Sequence, residues 1–441
     1  MSTPSESAPV SRRSFLSTAS TGILSGSLLS AGVLSTSCSR SVAGNVQAAS
    51  GAVPAVPLKP VVLPSMLAAT EQERSGPPPL LRPAERIGYA VVGLGTLSLT
   101  QILPAIVRCQ KSRLVAVVSG SRDKAETVAQ QYGLPTTAIY DYAGFDRIAE
   151  NPDIQVVYIV LPNGMHAEFT IRAARAGKHV LCEKPMANSA AECERMITAC
   201  AEARRKLMVA YRLQYEPHHR ELIRLARKEL GTLKFITAEN GQNLGDPKQW
   251  RLNKALAGGG SLADVGIYCL NAARYLTGEE PDEVTARIHS TSDDSRFREV
   301  EENIAFQLHF PSGVLATATS GYGHHERRHL TVIGTDGWAE MDNAFTYGGL
   351  ALRSARAQGK QELVTGHYVE ERNHFATEMD HFSDCILKDR APRTGGQEGL
   401  QDLRLIEALY RSAASGGASV HLAGRSGKDA TRGPELDEEE G

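Results

Sequence analysis

From residue 87 the hydrophobic positions follow a regular rhythm. Unbroken apolar runs of strand length, IGYAVVGLG, RLVAVVSG, IQVVYIVLPN, HVLCEKP and KLMVAYRL, alternate with segments whose apolar residues recur every three or four positions. Those segments are ILPAIVRC, with Pro104 early in it, DKAETVAQQYGL, MHAEFTIRAARAGK and SAAECERMITACAEARR. Gly133 and Gly177 stand where the second and third should stop, and Ser189 is a natural N-cap for the fourth. Continuous apolar strands alternating with helices predict a parallel, doubly wound sheet over residues 87–210. After Tyr211 the period changes. A helix is expected from Pro217 to Leu230, and then LKFITAEN, EVTARIHS, NIAFQLHF, VLATATSGYG and HLTVIGTDGWAEMD alternate polar and apolar residues. That is the pattern of antiparallel strands buried on one face. HFATEMDHFSDCILKD and GLQDLRLIEALYRSAAS read as late helices.

The ends of the chain break this rhythm. Residues 15–39 carry no charge, but Ser, Thr, Gly and Ala dilute the leucines too far for a good membrane span. The run follows Ser11-Arg12-Arg13-Ser14-Phe15-Leu16, a twin-arginine pattern, so residues 1–48 read as a Tat export signal. That implies the Tat machinery as a partner and a periplasmic or otherwise exported location. Small-x-small cleavage sites lie at Ser41–Ala43 and Val46–Ala48. Lipid attachment at Cys38 ranks second, because Leu34 is one place too far upstream. Residues 49–86 are proline-rich and read as a linker or an arm lying on a neighbouring subunit or a ligand. Residues 419–441 are acidic and poor in apolar residues, and are expected to be a disordered tail.

Composition removes some function classes. Lys plus Arg number 48 against 50 Asp plus Glu, so nothing favours nucleic acid or an anionic membrane. The 7 cysteines include no C-x-x-C pair, which argues against a disulfide scaffold. His324, His325 and His329 invite a metal reading, but only Glu326 supplies a carboxylate beside them, so no metal is expected.

The chemistry begins at Gly93-Leu94-Gly95, which follows a strand and opens a helix, as a dinucleotide fold requires. Gly93 permits the tight turn, Gly95 admits a pyrophosphate, and Ser98 takes the third small position. An NAD site places Asp or Glu at the end of the second strand. Here Ser119, Arg122 and Lys124 stand there instead, which favours the 2′-phosphate of NADP and makes NAD less expected. Lys184 follows a later strand, at the sheet end where cofactor and substrate meet. Asp264 and Tyr268 are four apart on one predicted helix face. Cys182 reads as a small buried residue rather than a nucleophile.

VVGLG, LPNGMHAEF, CEKPMANS, KQWRLNKALAGGGSLADVGIY and LNAARYLTGEEP together resemble the Gfo/Idh/MocA oxidoreductases. The likeness is greatest to the glucose–fructose branch, which has tyrosine at the position of Tyr268 where many members have histidine. The resemblance spans residues 87–416 and extends to the signal and the arm. It departs at Thr96-Leu97-Ser98, at His324–His329 and at Gly348–His367. It implies an α/β protein: a Rossmann dinucleotide-binding domain over 87–210, and an α+β substrate-binding and oligomerisation domain over 211–418 with a large, mostly antiparallel open sheet. It implies that Leu94, Pro162, Asn163, His166, Glu183 and Pro185 join the cofactor site. Tyr268 would be the proton relay, Lys184 would tune it, and Asp264 would position a sugar. Tyr211, Arg212, Trp250 and Arg251 would be further sugar contacts. A tyrosine with an ordinary pKa of about 10 can relay a proton when a neighbouring ammonium favours the phenolate. The expected activity is oxidation of an aldose, glucose, to its lactone, with reduction of a second sugar, fructose, to sorbitol on tightly bound NADP. A homo-dimer or homo-tetramer is implied as well. An ordinary sugar or cyclitol dehydrogenase with exchangeable cofactor, and a non-catalytic sugar-binding protein, are the alternatives.

Overall fold

The structure, a computed structural model, describes residues 82, 85–423 and 428–436. The expected signal, nearly all of the arm and Cys38 lie outside the described residues. Six strands make the first sheet: β1 (Ile87–Val92), β2 (Ser112–Val118), β3 (Ile139–Tyr140), β4 (Val156–Ile159), β5 (His179–Glu183) and β6 (Leu207–Ala210). They are all parallel, in the order β3-β2-β1-β4-β5-β6. β1 and β4 are buried along their whole length, which is why they read as unbroken apolar runs. The helices between them are α1 (Leu103–Ile106), α2 (Arg122–Gln131), α3 (His166–Arg175) and α4 (Ala190–Glu202). Ser189 caps α4 by accepting the Glu192 N–H. The segment before α1 departs from the expected plain helix. A π turn over Ser98–Ile102 comes first, with the Ser98 hydroxyl bonded back to the Gly93 carbonyl.

The second half holds α5 (Pro217–Lys228), β7 (Leu233–Asn243), α6 (Lys254–Ala257), α7 (Ile267–Thr277), β8 (Glu283–His289), β9 (Asn303–His309), β10 (Leu315–Gly321), β11 (Gly323–Gly334) and β12 (Gly337–Asp342). β13 (Ala351–Gln358) and β14 (Gln361–His367) follow, then α8 (His374–Leu387), α9 (Gly396–Ala414) and β15 (Val420–His421). Nine strands form one sheet, β14-β13-β12-β11-β7-β10-β9-β8-β15, antiparallel except where β10 pairs with β7. The alternating pattern marked most of these strands, but not β13, β14 or β15. Nearly every residue of β14 is exposed, so it has no buried face to give a period.

Two segments return from the far end of the chain. α8 packs on the first sheet, where the Tyr89 hydroxyl donates to the Met379 carbonyl at 2.9 Å and Asp380 accepts from the backbone of Gln110 and Lys111. Where it is described, at residues 419–423 and 428–436, the final segment is not the disordered tail that its acidity suggested. β15 pairs with β8, and Thr431 and Arg432 are buried against α7 and α9. The acidic composition misled because two interior side chains, not an apolar stripe, anchor this segment.

Candidate active site

One cleft of ≈ 690 Å³ runs across the carboxyl ends of the first sheet. Its floor is the glycine turn. Gly93 has φ +93°, and a Cβ there would lie 2.3 Å from the Val160 carbonyl, so only glycine closes the turn against β4. At Gly95 a Cβ would meet nothing within 4 Å, which leaves bare backbone facing the cleft. Leu94 and Thr96 complete this rim. An exposed glycine backbone at the start of a helical turn is the cradle a pyrophosphate needs, and these residues fit a dinucleotide. Ser98 is not a ligand contact. It is fully buried and holds the turn from behind.

Ser119, Gly120, Ser121, Lys124 and Tyr142 line one end of the cleft. No carboxylate lines that end among the described residues. Gly120 leaves room for the Tyr142 ring, which a Cβ would approach to 3.0 Å. Lys124 reaches the turn, with Nζ 3.3 Å from the Leu94 carbonyl. Arg122 does not join it. Its Nε donates to Glu126 at 2.6 Å on the solvent side of α2. Residues two apart on a helix point roughly 200° away from each other, so Lys124 and Arg122 cannot both face the turn.

At the other end Pro162 and Asn163 leave β4, and Glu183 and Lys184 leave β5. Asn163 Nδ2 donates to the Ala257 carbonyl at 2.8 Å, tying the end of α6 to the loop after β4. Glu183 is buried and accepts from the Tyr158 hydroxyl at 2.8 Å; burial raises its pKa. His166 and Pro185, expected as cofactor contacts, do not line the cleft. His166 is buried with Nδ1 2.9 Å from the Pro185 carbonyl and Nε2 2.9 Å from the Leu161 carbonyl. It staples the two loops together instead. The Lys184–Pro185 peptide is cis.

Lys184, Asp264 and Tyr268 come together. A π turn over Leu262–Gly266 precedes α7 and shifts the backbone bonding there, and the Asp264 carbonyl accepts from Lys184 Nζ at 2.7 Å. The same ammonium lies 3.4 Å from Asp264 Oδ1 and 4.5 Å from the centre of the Tyr268 ring. Against the effect of burial, Tyr268, Asp264 and Glu183 hold the Lys184 pKa above its usual value, so the group stays an ammonium. Asp264 also accepts from Arg251 Nε and from the Tyr322 hydroxyl, both at 2.9 Å. Burial opposes ionisation, but Arg251 and Lys184 hold Asp264 well below the usual carboxylate range.

Arg212 is a second cation against the Tyr268 ring. Its guanidinium carbon is 5.1 Å from the Tyr268 ring centre and 4.7 Å from that of Tyr347. Nη1 and Nη2 donate to the carbonyls of Thr346 and Phe345 at 3.1 and 2.7 Å. Phe345 stacks on Tyr268 at 6.2 Å. Arg251 lies over Trp250 at 4.7 Å, and Asn240, Gln242 and Gln249 extend this end of the cleft. Tyr211 is the exception among the expected sugar contacts. It is buried away from the cleft, toward Asp402.

Sequence reasoning missed Tyr142, Tyr322, Phe345 and Tyr347, which reach the site from loops with no motif, and Phe375, which reaches it from the start of α8. His329 bonds Asp342 and Thr331 in β11, and His324 covers Gly241 and Gly321. Among the described residues no group of three or more His, Cys, Asp or Glu could hold a metal.

The profile of the Gfo/Idh/MocA oxidoreductases, an NAD-binding Rossmann fold, matches residues 87–211, and that of their C-terminal domain matches residues 220–340. A D-xylose 1-dehydrogenase [NADP(+)] of Haloarcula marismortui is 32% identical over 333 residues, 74% of this chain and 91% of that protein. A D-xylose 1-dehydrogenase (NADP(+)) of Haloferax volcanii is 30% identical, covering 75% of this chain and 98% of that one. Among solved structures, the aldose–aldose oxidoreductase of Caulobacter crescentus, complexed with glycerol, superposes with a TM-score of 0.74 at 49% identity. That match covers 76% of this chain and 100% of the other.

Proposed function

This chain belongs to the Gfo/Idh/MocA oxidoreductase family and is a sugar oxidoreductase, and from that premise we propose that it is exported with tightly held NADP, oxidises an aldose at C1 and reduces a second sugar on the same cofactor. The observation that carries the reading is the meeting of Lys184, Asp264 and Tyr268 at the carboxyl end of β5, beside the glycine turn. Gly93, Leu94, Gly95, Ser119, Lys124, Asn163 and Glu183 would hold the cofactor. Bound NADP would supply the hydride acceptor of the first half-reaction and the donor of the second.

Tyr268 takes the proton of the C1 hydroxyl in the first half and returns one to the second sugar. The Lys184 ammonium and the Arg212 guanidinium flank its ring and favour negative charge on its oxygen during transfer. Asp264 fixes Lys184 and Arg251 and faces the cleft as a hydroxyl acceptor. Trp250, Gln242 and Gln249 offer the flat apolar face and amides that suit a neutral polyol. The 49% identical relative, whose name pairs two aldoses, supports coupling and an aldose as second substrate beside the glucose–fructose pair. The xylose dehydrogenases favour a second reading, in which NADP exchanges with solution.

Ser11 to Leu16 support Tat export of a folded holo-protein, which would then lack a nucleotide pool and need internal recycling. A homo-oligomer through the second sheet is supported by Ile333, Phe235 and Leu315, which lie side by side on three adjacent strands and are exposed. The test is to purify the protein without added nucleotide, denature it and identify what is released. Stoichiometric NADP supports the coupled enzyme; an empty protein that turns over only with added NADP selects the exchangeable dehydrogenase.

A further inference from the structure

A second charged cluster lies wholly buried behind the active site. Arg274 is 0% exposed and lies six residues along α7 from Tyr268. Its Nε and Nη2 donate to Glu280 at 2.7 and 2.8 Å, Nη2 also reaches Glu398 at 2.8 Å, and Nη1 pairs with Asp402. Asn271, between Tyr268 and Arg274, donates to Glu398 at 2.9 Å and Asp402 at 3.0 Å. Gln214, two residues after Arg212, donates to Asn271 at 3.0 Å and Glu398 at 3.2 Å. One cluster therefore fastens the short segment that carries Arg212 to the helix that carries Tyr268.

Three carboxylates face Arg274 there, and a single guanidinium does not balance them. The second cation comes from the end of the chain. The Arg432 side chain is 0% exposed, with Nη1 3.2 and 3.3 Å from the two Glu398 oxygens and Nη2 donating to the Arg274 carbonyl at 2.9 Å. The Thr431 hydroxyl lies 2.6 Å from Glu398 and accepts from Arg274 Nη2 at 2.8 Å. The segment is itself moored. Asp429 N–H donates to the Gly278 carbonyl at 2.8 Å, and Gly433 and Arg393 exchange backbone and side-chain bonds at 2.8 Å. Against burial, Arg274 and Arg432 together hold Glu398 down to about 2.

We propose that residues 429–432 form a strap and that Arg432 is a positioning residue, completing the buried network that sets the Tyr268 ring against Arg212. The argument is one of charge and geometry. Without Arg432 the three carboxylates are left to a single guanidinium, and the network relieves this by admitting water or by moving Glu398, the residue that both Asn271 and Gln214 grip. Either response shifts α7 and the Arg212 segment relative to each other. Proton transfer is sensitive to such a shift, whereas sugar binding at Trp250 and Arg251 is not. The proposal rests on Tyr268 acting as the proton relay.

The test uses full-length holo-protein with Arg432→Met, Arg432→Lys and Thr431→Val. Steady-state kinetics with the two sugars, thermal melting and amide hydrogen exchange over residues 267–277 are read together. Arg432→Met is expected to lower kcat about tenfold or more with KM nearly unchanged, because only an interaction made in the transition state is weakened. Arg432→Lys recovers part of the loss, and Thr431→Val, which keeps the shape, shows a smaller loss of the same kind. Faster exchange in α7 accompanies each loss. If Arg432→Met does not fold, the Lys and Val variants carry the test. The proposal is overturned if the folded variants keep wild-type kcat, or if kcat and KM change without faster exchange in α7. Absence of turnover in the wild type would instead refute the functional reading, and the exchange data would still decide whether the strap holds α7.

Discussion

Asp264→Asn tests the electrostatic core of the site. The carboxylate accepts from Arg251 at 2.9 Å, from Tyr322 at 2.9 Å and from Lys184 at 3.4 Å, with only 15% of its side chain exposed. Asparagine keeps the shape and one acceptor but leaves two cations without their counter-charge. Breaking a buried pair costs about 3–5 kcal/mol. Here Arg251 is 33% exposed and can rehydrate, and Lys184 keeps its 2.7 Å bond to the Asp264 carbonyl. These features bring the expected loss to about 2–3 kcal/mol. With unfolding entropy near 2.1 cal/mol/K per residue over roughly 350 ordered residues, the melting temperature should fall by about 3–4 °C. The pH dependence gives a second check. A depressed folded pKa contributes stability above the unfolded value of about 3.9, and that stability is lost as pH falls through the folded value. Calorimetry should therefore show a constant gap between wild type and variant from pH 5 to about 8 that closes in more acidic buffer. Equal stability at neutral pH, or a gap that persists undiminished in acid, would refute the reasoning.

Three further outcomes follow from the same geometry. Tyr268→Phe keeps the ring against Phe345 and Lys184 and removes only the hydroxyl, so kcat should fall about 10²–10⁴-fold while cofactor content and melting temperature stay near wild type; retained turnover would exclude the relay. Lys124→Ala should weaken NADP retention several-fold, and Arg122→Ala, whose partner is Glu126, should not; nucleotide assays of the purified proteins after dialysis decide between them. Burial, with Arg212 and His219, holds His374 down to about 2. Its neutral form stabilises the fold fully above the unfolded value of about 6.5, and each pH unit below that costs up to about 1.4 kcal/mol. His374→Gln should flatten the acid limb of the stability curve, measured by denaturant titration, and an unchanged slope would contradict this.

The parts of the site that the sequence revealed are those that local rules govern. Gly93 is dictated by its own φ and by the carbonyl opposite it, Lys184 by the end of a buried strand, and Asp264 and Tyr268 by helical spacing. What stayed hidden depends on distance along the chain. Tyr322 and Phe345 reach Asp264 and Tyr268 from loops, and Phe375 reaches Arg212 from the start of α8, and none of them carries a motif. Neighbours in sequence also parted. Arg122 turns to Glu126 while Lys124 meets the turn, and Tyr211 is buried toward Asp402 while Arg212 enters the cleft. Residue type alone does not say which of two adjacent polar side chains faces a site. The final segment looked like solvated tail because its interior contacts are ionic, and hydrophobic periodicity does not register a buried Arg432.

The central claim is that one held cofactor serves two sugars in turn. The direct measurement is reduced-nicotinamide fluorescence on purified protein, dialysed and without added nucleotide. Adding glucose alone should produce a single burst equal to the protein concentration, and adding fructose or a second aldose should abolish it while lactone and polyol appear in equal amounts. A signal that appears only when NADP is supplied, and that grows past the protein concentration, would contradict the claim.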